Sequence, residues 1–132
     1  MRLLLDTHIW LWSLLEPERL SPEVRKALVD ADNELWLSPI TVWEVLVLTQ
    51  KGRLTLDRPA EEWIDLALAA APAHEAQLTF QVALESQRVE LPHRDPADRF
   101  LAATARVFDL TLVTADEQLL NLRDVPLLPN PG

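Results

Sequence analysis

The stretch Arg2-Leu3-Leu4-Leu5-Asp6-Thr7 decides the reading of this chain, because a short apolar run ends there on a carboxylate. A run of that length, too short for a helix, reads as a buried strand over 2–5. Asp6 and Thr7 are both good capping residues, and Thr7 is expected to cap a helix reaching about Leu15. The same arrangement returns at Leu110-Thr111-Leu112-Val113-Thr114-Ala115-Asp116, a second apolar run followed by an acid. Between the two stand three dipeptides that pair a capping side chain with proline: Ser21-Pro22, Ser38-Pro39 and Asp95-Pro96. Each predicts a helix start with proline at the first helical position.

Working outward, the helix opened at Ser21 is expected to reach about Asp32, and Glu34 to Leu37 reads as a second strand. The helix opened at Ser38 runs to Lys51, where Gly52 supplies the stop. A helix over about 60–71 ends at Pro72, a short strand is expected near Gln77 and Leu78, and a helix over 80–87 follows. The helix opened at Asp95 reaches Phe108, a strand covers 110–113, and a helical turn and a small strand near Val125 to Leu128 complete the chain. No repeat, low-complexity segment or linker interrupts this order, so residues 1–132 read as a single domain. Short apolar strands alternating with helices predict an α/β fold: a mostly parallel sheet with helices on both faces. Ligands in such folds sit at the carboxyl ends of the strands, where Asp6 and Asp116 stand.

Composition narrows the chemistry. The 132 residues are 48% hydrophobic and 25% charged, as in an ordinary globular domain. No window of about 18 uncharged apolar residues occurs, so no membrane span is expected. Asp6 and His8 interrupt the apolar N-terminal run, and a mature, cytoplasmic chain is expected. The absence of cysteine removes disulfides, thiolate metal sites and a cysteine nucleophile. With two glycines, neither a P-loop nor a dinucleotide-binding loop can be written, and the three histidines lack metal-ligand spacing. The net charge of −9 argues against tight, non-specific nucleic-acid binding. It leaves room for an enzyme that meets phosphate through cations and a few local arginines.

Two further acids stand out. Glu44 is the only charge in the helix 39–50, which is apolar on nearly every side. Ionised there it costs several kcal/mol unless something pairs with it, and no base lies one turn away. Either it points to solvent or a partner reaches it from elsewhere, or it serves a function. Asp98 falls on the helical face of Leu101, Ala102, Ala105 and Phe108, which should meet the sheet, whereas Asp95 is explained as the cap. Asp6, Glu44, Asp98 and Asp116 each have a structural explanation, but four independent caps need not converge on one sheet edge. A converging acidic group repels itself, and raised pKa values or a bound cation must relieve it. With oxygen ligands only, Mg²⁺ or Mn²⁺ is the expected cofactor. Thr7 and Thr114 are candidate supporting hydroxyls, and Arg99, beside Asp98, is a candidate phosphate contact.

These residues resemble the PIN-domain family, and within it the VapC-type toxins of bacterial toxin–antitoxin pairs. The resemblance rests on 3–12, on Leu37 to Glu44, on His93-Arg94-Asp95-Pro96-Ala97-Asp98-Arg99 with the helix after it, and on Leu112 to Asp116. It implies a three-layer α/β/α domain with a short central sheet of four to five strands, and an Mg²⁺- or Mn²⁺-dependent endoribonuclease. Asp6, Glu44, Asp98 and Asp116 would hold the metal, with Thr114 in support. It also implies an RNA substrate, a homodimer, and a small antitoxin that inserts a segment near the active site. The motif departs from similar sequences in carrying Ala97 where a large apolar residue often precedes the second Asp. A receiver domain is excluded because Thr7 follows Asp6 and no lysine occurs after Lys51; a haloacid-dehalogenase-like phosphatase is excluded by His8. The remaining alternative is a catalytically inactive PIN-like module used in protein or RNA binding, against which the four intact acids count.

Overall fold

Arg2–Leu5 forms β1 and runs straight into helix α1, Thr7–Leu15, through the single residue Asp6. The computed structural model describes residues 1–91 and 95–131, so His93 and Arg94 of the quoted motif lie outside the described residues. A 3₁₀ turn over Pro17–Arg19 follows, then α2 (Pro22–Val29), β2 (Glu34–Leu37), α3 (Pro39–Gln50) and α4 (Ala60–Ala70). The rest is β3 (His74–Glu75), α5 (Phe80–Ser86), α6 (Pro96–Phe108), β4 (Thr111–Thr114) and β5 (Leu127–Pro129). The three proline signals mark real helix starts. Ser21 accepts from Val24 N, Ser38 from Ile40 N and Asp95 from Ala97 N, each satisfying an amide that the first turn leaves open.

The five strands form one sheet in the order β3-β2-β1-β4-β5, every neighbouring pair parallel. Side chains alternate across the pleat, and two cores follow from that alternation. Leu3, Leu5 and Val113 face α1 to α4, with Ile9, Trp10, Val45 and Ile64 packed on them. Leu4 and Leu112 face the opposite layer, where Val82 of α5 and Leu101 and Ala102 of α6 cover them. The sheet is thus sealed on both sides and its carboxyl edge is left open, which is where β1 and β4 deliver Asp6 and Asp116.

Several boundaries shift by one or two residues, β4 to Thr111–Thr114 and β5 to Leu127–Pro129 among them, and two further differences have a physical reason or a larger size. The edge strand β3 lies at His74–Glu75 rather than near Gln77, and both of its residues are exposed, so no buried apolar pair marks it in the sequence. α2 stops at Val29, with Asp30 as its C-cap, rather than reaching Asp32. Among the described residues no helix is long and apolar enough to cross a membrane.

Candidate active site

Asp6 is the N-cap of α1, and its buried carboxylate is held at both oxygens. Oδ1 accepts from Thr7 N at 2.7 Å and Oδ2 accepts from the Thr114 hydroxyl at 2.7 Å. The hydroxyl of Thr114 also accepts from Asp116 N at 3.0 Å, so one buried group ties the end of β1 to the end of β4. Asp116 in turn accepts from Gln118 N at 2.9 Å, an Asx-type turn that fixes its own carboxylate. Thr7 is therefore the first helical residue and not the cap. Its hydroxyl, released from capping, donates to Glu44 Oε1 at 2.6 Å. That bond is the partner from elsewhere in the fold that Glu44 needs.

Asp98 sits in the first turn of α6, 7% exposed, on the face it shares with Leu101, Ala102 and Ala105. Asp95 caps the same helix and also borders the cleft, serving both purposes at once. Asp6, Glu44, Asp98 and Asp116 thus border one depression of about 470 Å³ at the carboxyl edge of the sheet.

Bringing these groups together has an electrostatic consequence. Burial pushes the Asp6 carboxyl above the usual carboxylate range despite its bonds to Thr114 and Thr7, and the nearby Asp116 adds to the rise. Glu44 is pushed up to about 7, first by burial, then by the charges of Asp6, Asp95 and Asp98. Charge of one sign is stored here that a cation would relieve. The carboxylates offer oxygen donors, with the His8 imidazole also on the cleft wall and no thiol in the chain, a set that fits Mg²⁺ or Mn²⁺ and not a thiophilic metal. Among the described residues, no three His, Asp or Glu side chains close on one point as a ready cage.

Arg99 requires a correction. Its guanidinium donates to the carbonyls of Val89 at 2.9 Å and Ser86 at 3.4 Å, where it closes the end of α5. One residue along a helix is a turn of about 100°, so adjacency to Asp98 in sequence directs Arg99 away from the cleft. Among the described residues, the arginine that borders the acids is Arg19, on the 3₁₀ turn, poised 4.3 Å over the Trp12 ring and 3.1 Å from Glu16. Sequence reasoning missed it; the only signal was the Glu16-Pro17 helix stop, which folds the chain back beside α1. Trp10 and Trp12 separate as their spacing requires. Trp10 is buried, edge-on to Trp63 at 5.7 Å, and Trp12 is half-buried beside the cleft.

The PIN-domain family model matches residues 3–125. Ribonuclease VapC22 of Mycobacterium tuberculosis is 33% identical to this chain over 123 residues, covering 91% of each. Two solved structures share the fold at a TM-score of 0.72 over 98% of both chains. One is VapBC2 from Rickettsia felis bound to a DNA fragment from its promoter, at 15% identity, and the other is DNA-bound VapBC from Salmonella typhimurium, at 14%. The sequence match runs through nearly the whole length, and it does so on the fold those structures share: the chain belongs to the PIN-domain family.

Proposed function

We propose that this protein is a divalent-metal-dependent endoribonuclease and the toxin of a toxin–antitoxin pair. The observation that carries the reading is the gathering of Asp6, Glu44, Asp98 and Asp116 around one cleft, with the Glu44 carboxyl lifted to about 7. Ribonuclease VapC22, similar over nearly its full length, supports RNA as the substrate, and the fold shared with toxin–antitoxin complexes supports an antitoxin partner. A homodimer and a cytoplasmic setting belong to the same reading.

In the reaction, water adds to a phosphodiester phosphorus and one P–O bond breaks. The four carboxylates are the residues that would hold Mg²⁺ or Mn²⁺, which supplies positive charge against the phosphate and makes a nearby water more acidic. Thr114 holds Asp6 and the Asp116 turn in fixed relation, and Thr7 fixes one oxygen of Glu44. These supports make the acidic group rigid before any ligand arrives, which is where geometric precision is gained. Glu44, with one oxygen held by Thr7, is placed to act on the attacking water. Arg19 at the rim is the cation placed to meet a phosphate oxygen.

The test is cleavage of a mixed RNA pool by antitoxin-free protein with Mn²⁺, Mg²⁺ or chelator, beside Asp6→Asn and Glu44→Gln. Metal-dependent cleavage that falls by about 10²-fold or more in Glu44→Gln, and likewise in Asp6→Asn, is expected. Cleavage that survives chelator or both substitutions would refute the assignment. Folded wild type that cleaves nothing would favour the binding-module alternative.

A further inference from the structure

Asn130 follows the edge strand β5 directly and is only 1% exposed. Its backbone amide donates to the Thr114 carbonyl at 2.8 Å, which carries the parallel pairing of β4 and β5 one residue further. A carboxamide shut away from water needs partners for its donor and its acceptor alike. Asn130 Oδ1 accepts from Ser21 N at 2.6 Å, and Asn130 Nδ2 donates to the Arg19 carbonyl at 3.1 Å. The two partners also settle which end of the amide is oxygen.

These two bonds have the form of a parallel strand pairing, in which a residue donates to the carbonyl before its partner and accepts from the amide after it. The Asn130 carboxamide takes the place of a peptide group and brackets Leu20, so one side chain continues the sheet past its edge strand. Leu20 is itself buried, in the core under α1 to α4. The turn Pro17–Arg19, by contrast, buries none of its residues and has no side-chain cap. Its own hydrogen bonds are local: Arg19 N to the Glu16 carbonyl, Leu20 N to the Pro17 carbonyl, and the Arg19 guanidinium to the Glu16 carboxylate. Among the described residues, the hydrogen bonds that join 17–21 to a distant part of the chain both end on Asn130. Thr114 lies on the same path, since its carbonyl takes the Asn130 amide while its hydroxyl holds Asp6. The turn that carries Arg19 is thereby set against the strand end that carries the acids, across 111 residues of sequence.

From this we infer that Asn130 is a positioning residue: by bracketing Leu20 it fixes the Arg19 guanidinium at the mouth of the acidic cleft, where it meets a phosphate oxygen of the substrate. The inference rests on the reading of Arg19 as the phosphate contact and adds the group that places it. The Trp12 ring and Glu16 orient the guanidinium, and Asn130 holds the backbone from which it extends. A contact made at a reacting phosphate is sensitive to displacements of about 1 Å, so the grip on the backbone has a catalytic consequence. A carboxylate at position 130 would keep an acceptor for Ser21 N but, when ionised, would offer no donor to the Arg19 carbonyl. A staple that served the fold alone would cost stability when removed, and its loss would be independent of Arg19.

A double-mutant cycle separates the two roles. Wild type, Arg19→Ala, Asn130→Ser and the double variant are compared in Mn²⁺-dependent cleavage of a fluorescein-labelled, mixed-sequence RNA dodecamer. The same four proteins are compared in binding that RNA with Ca²⁺, another hard cation for oxygen ligands, in place of Mn²⁺. Asn130→Asp runs beside them, all at a temperature where circular dichroism shows the folded state. Should Asn130→Asp not fold, Asn130→Ser carries the test, because it removes the amide without burying a charge. The expected result is a loss of about 10-fold in kcat/KM for Arg19→Ala and a comparable loss for each variant at 130. The double variant should be no worse than Arg19→Ala, because the arginine that Asn130 places is already gone. Losses that multiply to about 100-fold in the double variant would overturn the inference. So would full activity in Asn130→Ser beside an impaired Arg19→Ala, or full activity in Arg19→Ala itself. Wild type that binds RNA with Ca²⁺ yet cleaves none with Mn²⁺ would sink the ribonuclease reading, and the cycle in binding would then decide on Asn130 alone. Wild type that neither binds nor cleaves would overturn both.

Discussion

Helices α3 and α6 make an instructive pair. α3 is the more apolar of the two, yet it buries only Thr41 and Val45 of its twelve residues. α6 buries seven of thirteen, among them Leu101, Ala102 and Ala105. The difference lies in how each meets the sheet. The small residues of α6 let one apolar face lie flat on the sheet, with Asp98 buried at the end of that face. α3 stands at the rim, and its uncovered surface borders the clefts instead: Val42 and Leu46 on one side, Trp43 and Val47 on another, Glu44 toward the acids. Apolarity without burial marks a surface kept for something else to occupy.

The largest expected effect that would break this comparison is on stability. Leu101→Ala opens a cavity under the sheet and should lower the unfolding free energy by about 2–5 kcal/mol. Val47→Ala on the rim should lower it by about 1 kcal/mol or less. Urea denaturation of the two variants decides; equal losses would mean that α3 is as much a core helix as α6.

Next in size is Thr114→Val, which strands Asp6 Oδ2 and the Asp116 amide together. A loss of about 1–3 kcal/mol is expected. A 10- to 100-fold loss of metal affinity should accompany it, because Thr114 positions Asp6 without itself being one of the acids. Stability lost with Mn²⁺ affinity intact would reduce Thr114 to a structural bond.

The smallest effect is the dependence of metal-free stability on pH. Folding raises the Glu44 carboxyl from 4.5 to about 7, so the folded chain binds the proton more tightly than the unfolded one. The stability this gives is complete below about 4.5 and is lost as pH rises through about 7. Because the group is only half-buried, the loss is on the order of 1 kcal/mol. Thermal melts in EDTA across that window should fall with rising pH. Glu44→Gln should flatten the slope, leaving the part due to Asp6, whose shift has the same sign.

Much of this arrangement was legible because it is local. An apolar run that ends on an acid located β1 with Asp6 and β4 with Asp116, and Ser-Pro and Asp-Pro located three helix starts. The isolated charge of Glu44 gave notice of a partner without naming Thr7, whose hydroxyl is 37 residues away in sequence. What failed was inference from adjacency across a turn. Arg99 neighbours Asp98 in the chain but rotates away to the carbonyls of Ser86 and Val89, while Arg19, far from every acid of the motifs except Asp6, folds back beside them. β3 escaped because two exposed residues at a sheet edge carry no periodic signal.

The central claim is that four carboxylates from separate elements form one cation site. Mn²⁺ titration followed by electron paramagnetic resonance, on wild type, Asp98→Asn and Glu44→Gln, tests it most directly. Binding by wild type that weakens at least 10-fold in each variant, with the folded state intact by circular dichroism, is the expected result. Mn²⁺ affinity that is the same in all three proteins would contradict it.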